Sequence, residues 1–198
     1  MRLFLNAASP FARLVRVVVV ETGLQAETEL HYVDPWESPP ELLARNPAAK
    51  VPALDLDNGT QLIESGCICD YLIQYSNRED LAPSSATSAA DRLQVLGLGR
   101  VAIDCAFGAV LLNRFCQSTE LEARWLSALP RIALSLESLM SSTTPTPSLD
   151  LADLTIAVAF EYVDFRLPDV HWRTENRQLV HRVTEIGQRQ SLSTTRPR

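Results

Sequence analysis

The residues of this chain best suited to chemistry are Ser9, the run Lys50-Val51-Pro52 and the pair Glu64-Ser65. Ser9 stands before Pro10 and an apolar run, the place of a helix N-cap followed by proline at the first helical position. Its hydroxyl reads as a helix cap, or as a donor to an anion held at the positive end of that helix, whose dipole adds about 0.3–1 kcal/mol. Ser65 occupies a second helix start, where a hydroxyl and the following amides suit an anion. Pro52 opens a short apolar stretch, and a residue without an N–H belongs at the start of a strand. Were Val51–Pro52 cis, as about 5–6% of X-Pro bonds are, the N–H and C=O of Val51 would be turned outward, free for a ligand. Lys50, the only lysine in the chain, sits beside that backbone.

Several other chemistries find no support. The four cysteines, Cys67, Cys69, Cys105 and Cys116, lack paired metal-ligand spacing. On a helix Cys67 and Cys69 point apart, so all four read as small buried hydrophobes and no metal is expected. Gly97-Leu98-Gly99-Arg100-Val101-Ala102 matches a dinucleotide-binding pattern, but no β-branched strand precedes it and it lies inside a helical pattern. A net charge of -6 argues against a nucleic-acid partner. Asn6, Arg13 and Arg16 interrupt the apolar start of the chain, so it does not read as a signal peptide. No stretch is expected to reach membrane-spanning length, which leaves the cytoplasm with free thiols as the expected compartment. Asn6 and His31 read as ordinary polar residues, and Arg16 as packed or paired structurally.

The elements that must position these groups follow from periodicity and punctuation. Residues 2–6 and 29–33 read as strands flanking a helix at 11–22 that Gly23 closes. A short helix at 39–45 comes next, then a hairpin of 51–56 and 61–63 around Asp57-Asn58-Gly59, then a helix at 66–76 capped by Ser65. Residues 78–88 are polar and aperiodic, a linker between a domain at 1–77 and a domain at 89–198. Beyond it every pattern is helical: 91–115, 120–140 with Pro130 bending or splitting it, a loop at 141–148, then 155–165 and 175–187. Asp150 reads as an N-cap with Asp153 at the third helical position, and Leu149 and Leu154 fall at the staple positions. Residues 188–198 are polar and expected to be loosely held. The fold class is α/β plus all-α, a thioredoxin-like βαβ-α-ββα domain followed by an all-helical one.

Asn46-Pro47-Ala48-Ala49-Lys50-Val51-Pro52-Ala53-Leu54 together with Glu64-Ser65-x-x-Ile68-x-x-Tyr71-Leu72 resembles the glutathione-binding half of the glutathione S-transferase superfamily. The Asp150–Asp153 box resembles the start of that family's buried sixth helix. The Ser9-Pro10-Phe11 opening is similar to that of small bacterial members, whereas an omega-type enzyme has Cys-Pro-Phe. The resemblance implies a cis Val51–Pro52 bond and glutathione as co-substrate, its thiolate stabilised by Ser9 and its cysteinyl unit paired with the Val51 backbone. It further implies Ser65 at the γ-glutamyl carboxylate, Glu64 at the γ-glutamyl ammonium, and Lys50 within reach of the glycine carboxylate. The implied reaction is transfer to a small electrophile held between the domains of a homodimer, a detoxification chemistry. Peroxide reduction, thiol–disulfide exchange and a non-catalytic scaffold are the alternatives; serine at position 9 disfavours a mixed disulfide.

Overall fold

A computed structural model of the chain describes residues 1–83, 89–116, 119–142 and 149–197. It divides into two units, residues 1–79 with 190–198, and residues 80–189.

In the first unit, β1 (Arg2–Leu5) is followed by α1 (Pro10–Glu21), β2 (Glu29–Tyr32), the one-turn α2 (Pro40–Leu43), β3 (Ala53–Asp55), β4 (Gln61–Ile63) and α3 (Ser65–Tyr75). The sheet order is β2-β1-β3-β4. β1 and β2 run parallel, with Leu3 opposite Leu30, while β3 is antiparallel to both β1 and β4. β1 is buried on both faces: Leu3, Phe4 and Leu5 are no more than 1% exposed. Phe4 packs with Val33, Leu42 and Ala53, and Ala49 and Val51 close over that cluster. The β-branched run Val17-Val18-Val19 of α1 is buried, as an all-apolar helix segment requires. The βαβ-α-ββα order expected from the sequence is the order observed.

The second unit is helical: α4 (Ala89–Phe115), α5 (Thr119–Ser142), α6 (Leu151–Arg166) and α7 (Arg177–Gly187). Every residue of α6 from Leu151 to Phe160 is buried. Its start is the capping box expected: the Asp150 side chain accepts from Asp153 N–H, and the Asp153 carboxylate accepts from Asp150 N–H. That box is clamped by two arginines. Arg92 of α4 makes two hydrogen bonds to Asp150, at 2.7 Å and 2.5 Å, and Arg182 of α7 makes two to Asp153, at 3.1 Å and 2.7 Å. Burial opposes the charge on Arg92, and its bonds to Asp150 and Asp153 outweigh it, so its pKa rises. Glu137 of α5 caps the neighbouring α7, accepting from Gln178 N–H at 3.1 Å and Leu179 N–H at 2.8 Å.

Several expectations need correction. α5 is continuous through Pro130, so of the two outcomes expected there, bending or splitting, the split does not occur. α4 is long and apolar enough to cross a membrane by length and composition alone, contrary to the sequence reading. Its Ala102, Ile103, Ala106 and Ala109 are buried within the unit, as in a core helix. Cys69 and Cys105 are buried as expected, but Cys67 and Cys116 are exposed. The tail is not loose. Residues 190–198 belong to the first unit rather than the helical one, and α8 (Gln190–Ser193) packs on α1. The linker at 78–88 includes a 3₁₀ turn at Glu79–Leu81 whose Leu81 is buried. The linker residues 84–88 and the loop residues 143–148 lie outside the described residues.

Candidate active site

Strand register collects the candidate residues at one end of the sheet. Phe4 stands opposite Ala53, and Ala53 opposite Ile63. The chain leaves β1 after Leu5 and reaches Ser9 four residues on; it enters β3 directly from Pro52; it leaves β4 directly into Glu64 and Ser65. Three separate stretches of sequence therefore emerge at the same sheet end, two of them opening helices.

Ser9 is the N-cap of α1. Its Oγ accepts from Ala12 N–H at 3.2 Å. A hydroxyl has two acceptor lone pairs and one proton, so capping leaves the O–H able to donate outward. The turn that delivers Ser9 is braced by Asn6, whose side-chain oxygen accepts from Ala8 N–H at 3.0 Å and whose amide donates to the Val33 carbonyl at 3.4 Å. The Asn6 carbonyl in turn accepts from Ser9 N–H at 3.1 Å. Asn6 thus shapes the approach to the site, a role the sequence reading missed because an Asx turn looks like any polar residue before a helix.

The Val51–Pro52 bond is cis. β3 begins only at Ala53, so the Val51 backbone lies outside the ladder while its side chain packs on the Phe4 cluster. The loop before it is held by Asn46, 6% exposed. Asn46 donates to the Lys50 carbonyl at 2.8 Å and accepts from Ala48 N–H at 3.0 Å. Ala49 takes the left-handed conformation, φ 51°. Lys50 is exposed at this loop's end, and its ammonium makes no ion pair among the described residues.

At α3 the structure shifts the cap by one residue. Glu64, not Ser65, is the N-cap, with φ 71° and ψ 125°. Its Oε2 accepts from Gly66 N–H at 3.0 Å and Cys67 N–H at 3.3 Å, and its Oε1 from the Ser65 hydroxyl at 3.0 Å. Ser65 is therefore the first helical residue, and it is buried. A positive φ is costly for a residue with a side chain, and here the cap it creates compensates. The missed signal was the capping competence of a carboxylate: Glu is not among the usual N-caps, and only this unusual backbone brings its longer side chain back onto the first turn.

Asp150 and Asp153 lie in the helical unit, bonded to backbone and arginine as described above. His31 is bonded to Glu41 at 3.1 Å, and its ring lies tilted at 57° against that of Phe4. No group of three or more potential metal ligands occurs among the described residues. The arrangement at the sheet end offers hydroxyl donors, two helix N-termini, an exposed cation and an unladdered backbone segment. That combination suits an extended, peptide-like anion carrying a nucleophile.

Comparison with known proteins points the same way. Residues 3–79 match the family model described as glutathione S-transferase, N-terminal domain. A glutathione transferase family member from Pseudomonas fluorescens Pf-5, solved with bound glutathione, is 31% identical and superposes with a TM-score of 0.86, covering 100% of this chain and 98% of that one. The uncharacterized GST-like protein YibF of Escherichia coli K12 is 25% identical over 203 residues, spanning 100% of this chain and 98% of its own. A transferase from Methylobacterium radiotolerans, complexed with glutathione sulfonate, shares the fold with a TM-score of 0.87 at 23% identity. A match to the family model over residues 3–79, joined to end-to-end likeness to a glutathione transferase family member at 31% identity, decides the matter: the chain belongs to the glutathione S-transferase superfamily.

Proposed function

We propose that this chain is a glutathione-dependent transferase whose Ser9 stabilises the glutathione thiolate for attack on a small electrophile. The observation that carries the reading is the emergence of Ser9, Val51–Pro52 and Glu64–Ser65 at one end of the sheet. Glutathione bound to the Pseudomonas relative supports the choice of ligand.

A thiol of ordinary pKa, about 8.5, is mostly protonated at neutral pH, and the thiolate is the nucleophile. Ser9 O–H donating to the sulfur favours its charged form, and the start of α1 adds its dipole. The Val51 N–H and C=O pair in β-fashion with the cysteinyl unit. The Ser65 hydroxyl exchanges its bond to Glu64 for one to the γ-glutamyl carboxylate, at the positive end of α3. The Glu64 carboxylate, which caps Gly66 N–H and Cys67 N–H, takes the γ-glutamyl ammonium as a charge-assisted acceptor. Lys50 reaches toward the glycine carboxylate. In the reaction the thiolate forms a sulfur–carbon bond and the displaced group leaves with its bonding pair.

The same reading makes the protein a cytoplasmic homodimer with no nucleic-acid or membrane partner, engaged in detoxification. A scaffold that binds glutathione without turnover is the second reading, favoured by the bond that already turns the Ser65 hydroxyl toward Glu64. Calorimetry with glutathione, paired with turnover of 1-chloro-2,4-dinitrobenzene, separates them. Binding with turnover that collapses in Ser9→Ala supports the transferase; binding without turnover, unchanged by Ser9→Ala, supports the scaffold.

A further inference from the structure

We propose that residues 190–197 form a positioning strap for Ser9, with Arg13 as the positioning residue through which the strap acts. The inference rests on the role of Ser9 proposed above and adds to it the end of the chain.

The strap is fastened to α1 near both ends of that helix. In the first turn, the Arg13 guanidinium donates from Nη2 to the Leu192 carbonyl at 3.2 Å, across 179 residues of sequence. In the last turn, the Ser191 hydroxyl donates to Glu21 Oε1. The two tied residues are themselves buried, Ser191 1% exposed and Leu192 0%, and so is Thr195 one turn further on, at 3%. The buried Thr195 hydroxyl is satisfied within the segment, Oγ1 donating to the Ser191 carbonyl at 2.6 Å.

Arg13 is the link to the chemistry. Its backbone N–H donates to the Ser9 carbonyl at 3.0 Å, the bond that closes the first turn of α1. Its side chain is 2% exposed. A buried guanidinium is costly unless it is hydrogen-bonded, and with Nε and Nη1 finding no hydrogen-bond partner the bond from Nη2 to the strap weighs heavily, so loss of the strap favours exposure of Arg13. If the strap leaves, Arg13 draws toward water and pulls on the very turn that aims the Ser9 hydroxyl. A group displaced by a fraction of an ångström or an angle of some tens of degrees loses much of a hydrogen bond.

The test is the ionisation of bound glutathione, followed by thiolate ultraviolet absorbance against pH, in the full chain, Arg13→Lys, Arg13→Met and a chain ending at Arg189. Circular dichroism confirms folding, and calorimetry gives glutathione affinity. The strap predicts the lowest thiol pKa in the parent, an intermediate one in Arg13→Lys, and the highest in Arg13→Met and the shortened chain. The expected rise is about half to one unit, a three- to tenfold smaller ionisation constant for the bound thiol, with affinity within about threefold. A merely structural tail would lower thermal stability and leave the ionisation curve in place, which overturns the proposal. If the shortened chain does not fold, equal curves for Arg13→Lys and Arg13→Met overturn it. Ser9→Ala is the reference arm. A rise in Ser9→Ala without one in Arg13→Met defeats the strap and leaves the transferase standing. No rise in Ser9→Ala defeats the role of Ser9 and the strap with it.

Discussion

One hydroxyl at position 9 serves two partners, the Ala12 N–H that it caps and the sulfur that it is proposed to face. Those roles separate by substitution. Ser9→Thr keeps both and retains most of the activity. Ser9→Ala loses a cap worth about 1 kcal/mol of stability and a bond to a charged atom worth about 1.5–3 kcal/mol, roughly ten- to a hundredfold in rate. Urea unfolding and steady-state turnover read the two losses independently. Glu64 divides in a similar way. Glu64→Gly relieves the positive φ and tolerates loss of the cap, so its midpoint stays within about 0.5 kcal/mol of the parent. Glu64→Ala keeps the strain and costs about 1–2 kcal/mol. Both weaken glutathione binding about tenfold or more by removing the charged acceptor, as calorimetry would show. Ser9 was legible in the sequence because a Ser-Pro helix start has few meanings. Asn6 and Asn46 were not, since their work consists of bonds to backbone brought near only by the folded turn.

Among the elements, α4 and α6 make the most specific demand on sequence. A Cβ at Gly99 would lie 3.0 Å from the Thr155 side chain and 3.1 Å from that of Ile156, whereas one at Gly97 meets nothing within 4 Å. The glycines that imitated a nucleotide-binding loop thus have different reasons: Gly99 permits close helix packing, and Gly97 is open. Gly99→Ala is expected to destabilise by about 1–3 kcal/mol, and Gly97→Ala to stabilise by about 0.5–1 kcal/mol, compared by denaturant midpoints. The capping box sharpens the contrast. Asp153→Ala removes half of the capping box, the ion pair to Arg92 and both bonds from Arg182, a loss of about 3–5 kcal/mol. Asp153→Asn loses less, and neither changes turnover per folded molecule. Helix identity and the box at 150–153 were readable because local signals coincide there. Glu137 capping α7 was not, since that cap comes from another helix.

At the scale of the molecule, the return of residues 190–198 to the first unit contradicts the plain reading of a polar tail. Polarity misled because Ser191 and Thr195 bury small side chains whose hydroxyls find partners at once. Thiol chemistry reports on the same architecture. Cys67 and Cys116 are exposed while Cys69 and Cys105 are buried, and burial, then Asp104, pushes the Cys105 thiol up. Iodoacetamide followed by mass spectrometry should mark Cys67 and Cys116 in the native protein, with Cys69 and Cys105 reacting only on unfolding. A folded-state pKa above the unfolded one means that Cys105 favours folding while protonated. That contribution is present below the ordinary thiol pKa and fades as pH rises through the raised one. The most direct measurement of the central claim is a crystal structure with glutathione bound. Sulfur within about 3.5 Å of the Ser9 hydroxyl, with the cysteinyl backbone paired to Val51, is the predicted result. Glutathione bound with its sulfur out of reach of Ser9, or bound away from this end of the sheet, would contradict it.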